Sequence, residues 1–462
     1  MRRFLTIMTT LLLAGSVAVA SAERLPRPEK ITLDNGLVVY YYQNSELPLV
    51  SFRLLIKGAG SAFEPEGLDG LANFTADMLL KGTRTMTAEQ ISEALDFMGA
   101  RLSFTSTEEY ATGGGDCLSQ FLPRLLQIAA DCLSSPAFKE DEYKKELSRK
   151  TDSLKAVKDN PGQALRQYFK KAYFGKHPFG HISLGTDSSL GKMSLPELKK
   201  FHSVRYRPDT AMMAVVGDIK RAELIKILKE TVGQWPKPKT PASVTSLPPL
   251  PSPAGLKLVL VDKPDATQAY FALGSPGFAQ NDRMAVVASI MNTLWGGRFT
   301  SWLNTELRIK RGLTYGASSG FQSWQTGGLF MASSYTRNEK IGEMLDITFD
   351  LLKKARSQGF SPEEIESAKN YIVGQFPQSL ETNSSKASAY LRLIYYGLGF
   401  DYYDRYLGEI EAARPEAIKQ AAIKLLPEKN YTLVVVGKAS EIKKILDKFG
   451  RWEEKKITDP DF

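Results

Sequence analysis

The sequence predicts an α+β protein of two homologous modules, each a mainly antiparallel sheet with helices packed on one face. Three observations carry this. Residues 236–253 hold seven prolines in 18 positions, which neither a helix nor a central strand accepts, so they read as a stiff connection between two halves. The halves also echo each other. Val215-Val216-Gly217, Ile225, Leu228, Gly233 and Trp235 return as Val435-Val436-Gly437, Ile445, Leu446, Gly450 and Trp452, and Tyr173-Phe174-Gly175 returns as Tyr395-Tyr396-Gly397, at offsets near 220 residues. Two matches at nearly one offset and in one order argue for a duplicated domain. Within each half, strand-like stretches are split around helix pairs, which suits a sheet with helices on it. The expected organisation is a leader at 1–22, a first domain at 23–235, a linker at 236–255 and a second domain at 256–462.

Taken in order, Asp34-Asn35-Gly36 is a hairpin signal, followed by strands at 37–43 and 49–57. Leu71, Phe74 and Met78 then fall at helical spacing, with Asp69 placed to cap the start and Gly82 placed for a left-handed C-terminal cap. Thr87-Ala88-Glu89-Gln90 reads as a capping box opening the next helix. Residues 110–117 read as a strand and 123–133 as the helix returning along it. Cys117 and Cys132, the two thiols of the chain, therefore sit at opposite ends, about 15 Å apart, and are expected to be buried and unpaired. In the second half, Phe299, Trp302, Leu303 and Leu307 form an apolar stripe on a helix ending at Gly312, and residues 313–319 read as a strand.

Composition sets the outer limits. At 462 residues, with 43% hydrophobic and 24% charged residues, the chain suits several folded domains. Arg2 and Arg3, an apolar stretch over 4–20 and Ala20-Ser21-Ala22 form a secretory signal, with Glu23 as the expected mature start and the bacterial periplasm as the expected destination. A 17-residue stretch diluted by Thr, Gly and Ser is short for an anchor, and no later segment is apolar enough to span a membrane. Loss of Arg2 and Arg3 lowers the net charge from +9 to +7. Stretches such as 140–158 interleave acids and bases, the pattern of exposed helix faces, which argues against a nucleic-acid partner.

Residues 68–83 read Leu-Asp-Gly-Leu-Ala-Asn-Phe-Thr-Ala-Asp-Met-Leu-Leu-Lys-Gly-Thr. With Leu33-Asp34-Asn35-Gly36-Leu37, His177-Pro178-Phe179-Gly180-His181 and Tyr206-Arg207-Pro208-Asp209 in the same order, nearly the whole mature chain resembles the M16 zinc peptidases (insulinase, pitrilysin, mitochondrial processing peptidase). The resemblance implies two M16-type, LuxS/MPP-like αβ modules. It also implies that residues 68–83 are the active-site helix, where the family has His-x-x-Glu-His, two zinc ligands and a general base. Those three positions are Asn73, Ala76 and Asp77, a donor set too poor for catalytic zinc, so no metal is expected in this chain. The family's third ligand, a glutamate, maps near Leu154, with Asp152 as the acidic neighbour on a solvated face. Pro178 and Gly180 argue against a helix bringing His177 and His181 together, so a structural loop is expected there. His202 precedes a strand and has no companion histidine nearby.

Leu307-Arg308-Ile309-Lys310-Arg311-Gly312-Leu313-Thr314-Tyr315 is similar to the family's arginine–tyrosine motif, with Arg308 and Tyr315 at its spacing of seven. In relatives this pair approaches the zinc site from the opposite half and holds the substrate and its developing oxyanion. A neutral phenol donor and a planar cation suit that task. The residues also fit ordinary roles, an arginine favoured by the dipole at a helix end and a tyrosine in a strand, with Arg311 as a neighbouring base. The resemblance thus implies a non-catalytic subunit of a heterodimeric M16 metallopeptidase. Its homologous partner would carry His-x-x-Glu-His and zinc, and the pair would cleave peptides or partly unfolded proteins. The alternative is a proteolytically silent pseudo-enzyme that binds peptides or scaffolds an assembly.

Overall fold

The computed structural model describes residues 25–242 and 246–462. The leader and the expected start at Glu23 lie outside them. Two six-stranded sheets dominate the architecture. The first runs β1-β2-β6-β3-β5-β4, with β1 Glu29–Thr32, β2 Val38–Gln43, β3 Leu49–Lys57, β4 Arg101–Ser106, β5 Tyr110–Leu118 and β6 Ala211–Gly217. The second runs β12-β7-β11-β8-β10-β9, with β7 Leu256–Asp262, β8 Gln268–Pro276, β9 Ala317–Ser323, β10 Gly328–Arg337, β11 Tyr431–Gly437 and β12 Glu453–Lys456. Only β2–β6, β7–β11 and β7–β12 pair in parallel. The first half's helices are α1 Leu71–Met78, α2 Ala88–Met98, α3 Leu122–Ser134, α4 Glu140–Asp159, α5 Pro161–Phe174, α6 Asp187–Lys192, α7 Leu195–Arg205 and α8 Arg221–Glu230. The second half's are α9 Met284–Asn292, α10 Trp302–Asn304, α11 Ile341–Gln358, α12 Pro362–Gln375, α13 Asn383–Tyr396, α14 Tyr402–Ala412, α15 Pro415–Leu425 and α16 Ala439–Leu446.

Both sequence echoes land on equivalent elements: β6 matches β11, and the end of α5 matches the end of α13. Five strands of each sheet occupy corresponding places. The sixth differs, because β1 lies antiparallel beside β2 whereas the C-terminal β12 lies parallel beside β7.

Each half lays its own helices on one face of its sheet. The opposite face takes a helix from the other half. Helix α5 crosses β8 and β11 of the second sheet, and α13 crosses β3 and β6 of the first. This explains why β6 and β11 are apolar without alternation, since both faces are buried. Met213 and Val215 join the first core, while Met212, Ala214 and Val216 pack with Tyr390 and Leu391 of α13. Likewise Leu433 and Val435 join the second core, while Val434 and Val436 pack with the cluster that holds Leu165 and Phe169 of α5. Polar contacts fasten the exchange. Tyr168 donates to the carbonyl of Lys456 at 2.9 Å, Tyr390 to that of Pro26 at 2.6 Å, and Asn383 to that of Leu49 at 3.2 Å.

Glu109, in the turn between β4 and β5 and 1% exposed, ties the halves in another place. Its carboxyl accepts from the Gln325 amide at 3.0 Å and the Tyr396 hydroxyl at 3.1 Å. Burial pushes its pKa above the ordinary 4.5, against the pull of those two donors. A carboxyl raised on folding contributes stability that is full below the unfolded value and lost as pH rises through the folded one. Glu109→Gln, neutral throughout, is therefore expected to match the parent near pH 4 and exceed it near pH 7.5 in urea midpoints. A variant weaker at both pH values would show that the folded state favours the charged carboxylate.

Several local expectations meet the structure directly. Thr87 and Gln90 form the capping box of α2. Gly36 adopts φ 95° in the β1–β2 turn, where Asn35 donates to the carbonyls of Val232 and Trp235 and ties the hairpin to the end of the first half. Cys117 and Cys132 are free and buried, and burial pushes both thiols up to about 12, leaving them inert. No helix among the described residues is long and apolar enough to cross a membrane.

Others are corrected. The strand expected at 313–319 begins at Ala317, because Gly312 turns left-handed and the Thr314 hydroxyl bridges the amide and carbonyl of Gly316 in a local turn. Phe299 lies ahead of α10 and is 60% exposed, so the buried stripe is carried by Leu303 and Leu307. The chain continues from α10 as a wider π-helical stretch over Thr305–Lys310. Within 140–158 the charge pattern is not wholly a solvated face, since Glu146 and Lys150 are 2% and 3% exposed.

Candidate functional site

Helix α1 is held from both ends of its surroundings. Leu71, Phe74 and Met78 enter the first core, as their spacing requires. The expected Asp69 cap is replaced. Gly70 occupies the cap position at φ 93°, and buried Glu64 supplies the acceptor, taking the Ala72 amide at 2.8 Å and the Gly70 amide at 3.2 Å. A carboxylate at a helix N-terminus also satisfies the dipole. Asp69 turns away to accept from Lys171 at 2.7 Å and the Ile182 amide at 3.2 Å. Gly82 has φ 111° but lies beyond the helix end at Leu79, in the turn toward α2.

Asn73, Ala76 and Asp77 share the α1 face turned to α4, and Ala76 is fully buried. That face is filled by Lys150. Its ammonium donates to Asn73 Oδ1 at 2.8 Å and to Asp77 Oδ2 at 2.6 Å, and lies 5.2 Å from the centre of the Phe74 ring, which stacks on Tyr143. Arg149 stands 3.7 Å from Asp77 and binds Glu146, with Lys81 3.6 Å from the same carboxylate. Burial opposes ionisation of Glu146, but Arg149, Lys150 and Lys81 together hold its carboxyl below the usual range. The donor set does not fit zinc. An amide, a methyl and one carboxylate face a fixed ammonium, which offers donors only and already neutralises Asp77.

Lys150 was legible only in part. It falls on one helical face with Tyr143, Glu146 and Leu154, all buried, so its phase with apolar neighbours was the available signal. Leu154, near which the family's third ligand is expected, is 1% exposed and packs in the core. Asp152 is solvated and pairs with Lys155 at 3.4 Å. Tyr206 is buried nearby with an unpartnered hydroxyl, and burial first, then the charge of Asp77, raises its phenol.

The histidines serve the scaffold. His177 caps a short 3-10 turn by accepting the Phe179 amide at 3.1 Å. His181 meets the Ser61 carbonyl at 2.9 Å and Glu64 at 3.2 Å. His202 lies within α7, with Nε2 2.9 Å from the Leu133 carbonyl, and burial pushes its pKa down to about 4.

Arg308 and Tyr315 are brought together, but not side chain to side chain. The guanidinium donates to the main-chain carbonyl of Tyr315 at 2.8 Å and lies 4.8 Å from the centre of the Phe299 ring. This holds the turn and leaves the Tyr315 side chain 80% exposed. Arg311 points instead to Glu306 and Glu343, at 3.9 and 4.0 Å.

Residues 38–187 match the family described as insulinase (peptidase family M16), and residues 192–372 match the peptidase M16 inactive domain. The chain is 24% identical over 409 residues to the uncharacterized zinc protease YmxG of Bacillus subtilis, across 88% of this chain and 98% of that one. It is 26% identical over 396 residues to the zinc protease PqqE of Helicobacter pylori, across 84% and 88%. Among solved structures, a peptidase M16 inactive domain from Pseudomonas fluorescens superposes with TM-score 0.82 at 25% identity, covering 89% of this chain and 98% of the other. Matches to one family over parts of both halves, and a shared fold along most of the length, lead to one conclusion: the chain belongs to the M16 (insulinase) family of peptidases.

Proposed function

We propose that this protein is the non-catalytic subunit of a heterodimeric, exported M16 metallopeptidase, acting on peptides or partly unfolded chains. The observation that carries this reading is the contrast between its two motifs. Lysine fills the metal-binding face of α1, while Tyr315 projects from a turn braced by Arg308 with its phenol turned to solvent. A homologous partner carrying His-x-x-Glu-His supplies zinc, which activates the attacking water when bound there. In this chain Tyr315 donates a hydrogen bond to the oxygen of the attacked carbonyl, and Arg308 holds the turn and adds positive charge. Among the described residues β4 is the edge strand of the first sheet and packs beside α1, and a peptide would add to it as an extra strand.

The test is co-purification with a zinc-bearing M16 partner from the native host, followed by peptide cleavage with Tyr315→Phe in this chain. Loss of one oxyanion donor is expected to cut turnover by about 100-fold with little change in KM. An unchanged rate removes Tyr315 from the mechanism. A chain that binds peptides without any zinc-bearing partner supports the silent, peptide-binding alternative.

A further inference from the structure

A cavity lies wholly within the second half, bounded by α9, β9, α13 and α14, with a volume of about 580 Å³. None of its lining residues belongs to α1, α4 or the turn at 308–315, although β9 begins two residues after Tyr315. Its walls are aromatic. Phe278 and Phe321 meet at 4.9 Å on one side, and Tyr402 and Tyr406 stack at 6.0 Å and 21° on another. The Tyr406 hydroxyl donates to Ser289 at 3.0 Å, which fixes the second wall. Along α13, Ser385, Ser388 and Arg392 fall three and four residues apart and line the same side.

Arg392 is the one charged residue lining this cavity, no carboxylate lines it, and among the described residues the guanidinium forms no ion pair. Burial raises the phenols of Tyr402 and Tyr406, and the positive charge of Arg392 opposes the rise at both. Pockets that take small ligands combine aromatic walls with a few orienting polar groups, and an unpaired guanidinium selects a carboxylate through two parallel hydrogen bonds.

We propose that this cavity binds a carboxylate borne on an apolar or aromatic group, with Arg392 holding the carboxylate, the serine hydroxyls supporting it and the aromatic walls enclosing the apolar part. The ligand is either a free apolar acid or the C-terminal end of a peptide whose last residue is apolar. The site does not depend on the arginine–tyrosine reading, and its test needs neither a partner chain nor cleavage.

The experiment is calorimetric titration of the full exported chain with N-acetyl-phenylalanine, its amide, 3-phenylpropionate, and a phenylalanine-terminated hexapeptide as acid and amide. At least one acid is expected to bind at least about tenfold more tightly than its matching amide or neutral analogue. Arg392→Gln, an exposed change that leaves the fold intact by circular dichroism, is expected to abolish most of that preference. Tyr406→Phe retains the wall and is expected to keep it. Tighter binding of the hexapeptide acid than of the single residue assigns the site to peptide ends, and binding of the small acids with the hexapeptide excluded assigns it to free acids. Equal binding of acid and amide, an unchanged preference in Arg392→Gln, or no heat from any acid up to about 10 mM overturns the proposal.

Discussion

Lys150→Met is expected to destabilise the protein by about 2–4 kcal/mol at neutral pH, read as a lowered denaturant midpoint with an unchanged slope. Lys150 is 3% exposed and is the nearest cation to Asp77, so its removal leaves a carboxylate and an amide oxygen facing apolar methylenes. Asp77 retains a quarter of its exposure and a longer contact to Arg149 at 3.7 Å, which places the loss below that of a fully enclosed pair. The double variant Lys150→Met with Asp77→Asn is expected to recover most of the loss, because the uncompensated charge is then gone. A single variant as stable as the parent would mean that water or Arg149 already neutralises Asp77, and that the lysine does not hold α1 to α4.

Phe169→Ala is expected to cost about 3–5 kcal/mol and to loosen the second half even though the substitution lies in the first. Phe169 is 2% exposed, stacks on Tyr173 at 5.8 Å, and presses onto the second sheet at Gly274. A Cβ built on Gly274 would come 2.3 Å from the Phe169 ring, so the ring fills the space above a position of β8 that has no side chain of its own. The measurement is hydrogen exchange over β8 and β11, where protection is expected to fall together with global stability. Loss confined to α5 would show that the exchanged helix is an accessory to the second sheet and not part of its core.

Much of the architecture was legible because it is written in local patterns. The proline run, the capping box at Thr87, the turn at Asn35-Gly36 and the repeated Val-Val-Gly strand each depend on neighbours a few residues away. That Asn73, Ala76 and Asp77 share one helix was legible for the same reason, since their spacing of three and four is local. The misplaced strand after Gly312 came from apolar residues that read as β-structure, whereas the left-handed glycine and the Thr314 turn hold them against the preceding helix.

What residue order could not supply are the partners chosen across long separations. Glu64 displaces Asp69 as the cap of α1 because Asp69 is taken by Lys171, a residue 102 positions away. Lys150 looked like one charge among many on α4 until the packing of α4 against α1 placed its ammonium between Asn73 and Asp77, 77 and 73 positions distant. The reciprocal crossing of α5 and α13 likewise follows from the two halves closing on each other, which turns sheet faces that would otherwise meet water into cores. Periodicity and local turn signals therefore indicate most of the elements, while the resemblance to the family is what singles out Asn73, Ala76 and Asp77. The identity of what packs against Asn73 and Asp77 and what covers each sheet follows from burial, because the cost of leaving a charge or an apolar face unpaired is met only once the folded chain brings distant residues together.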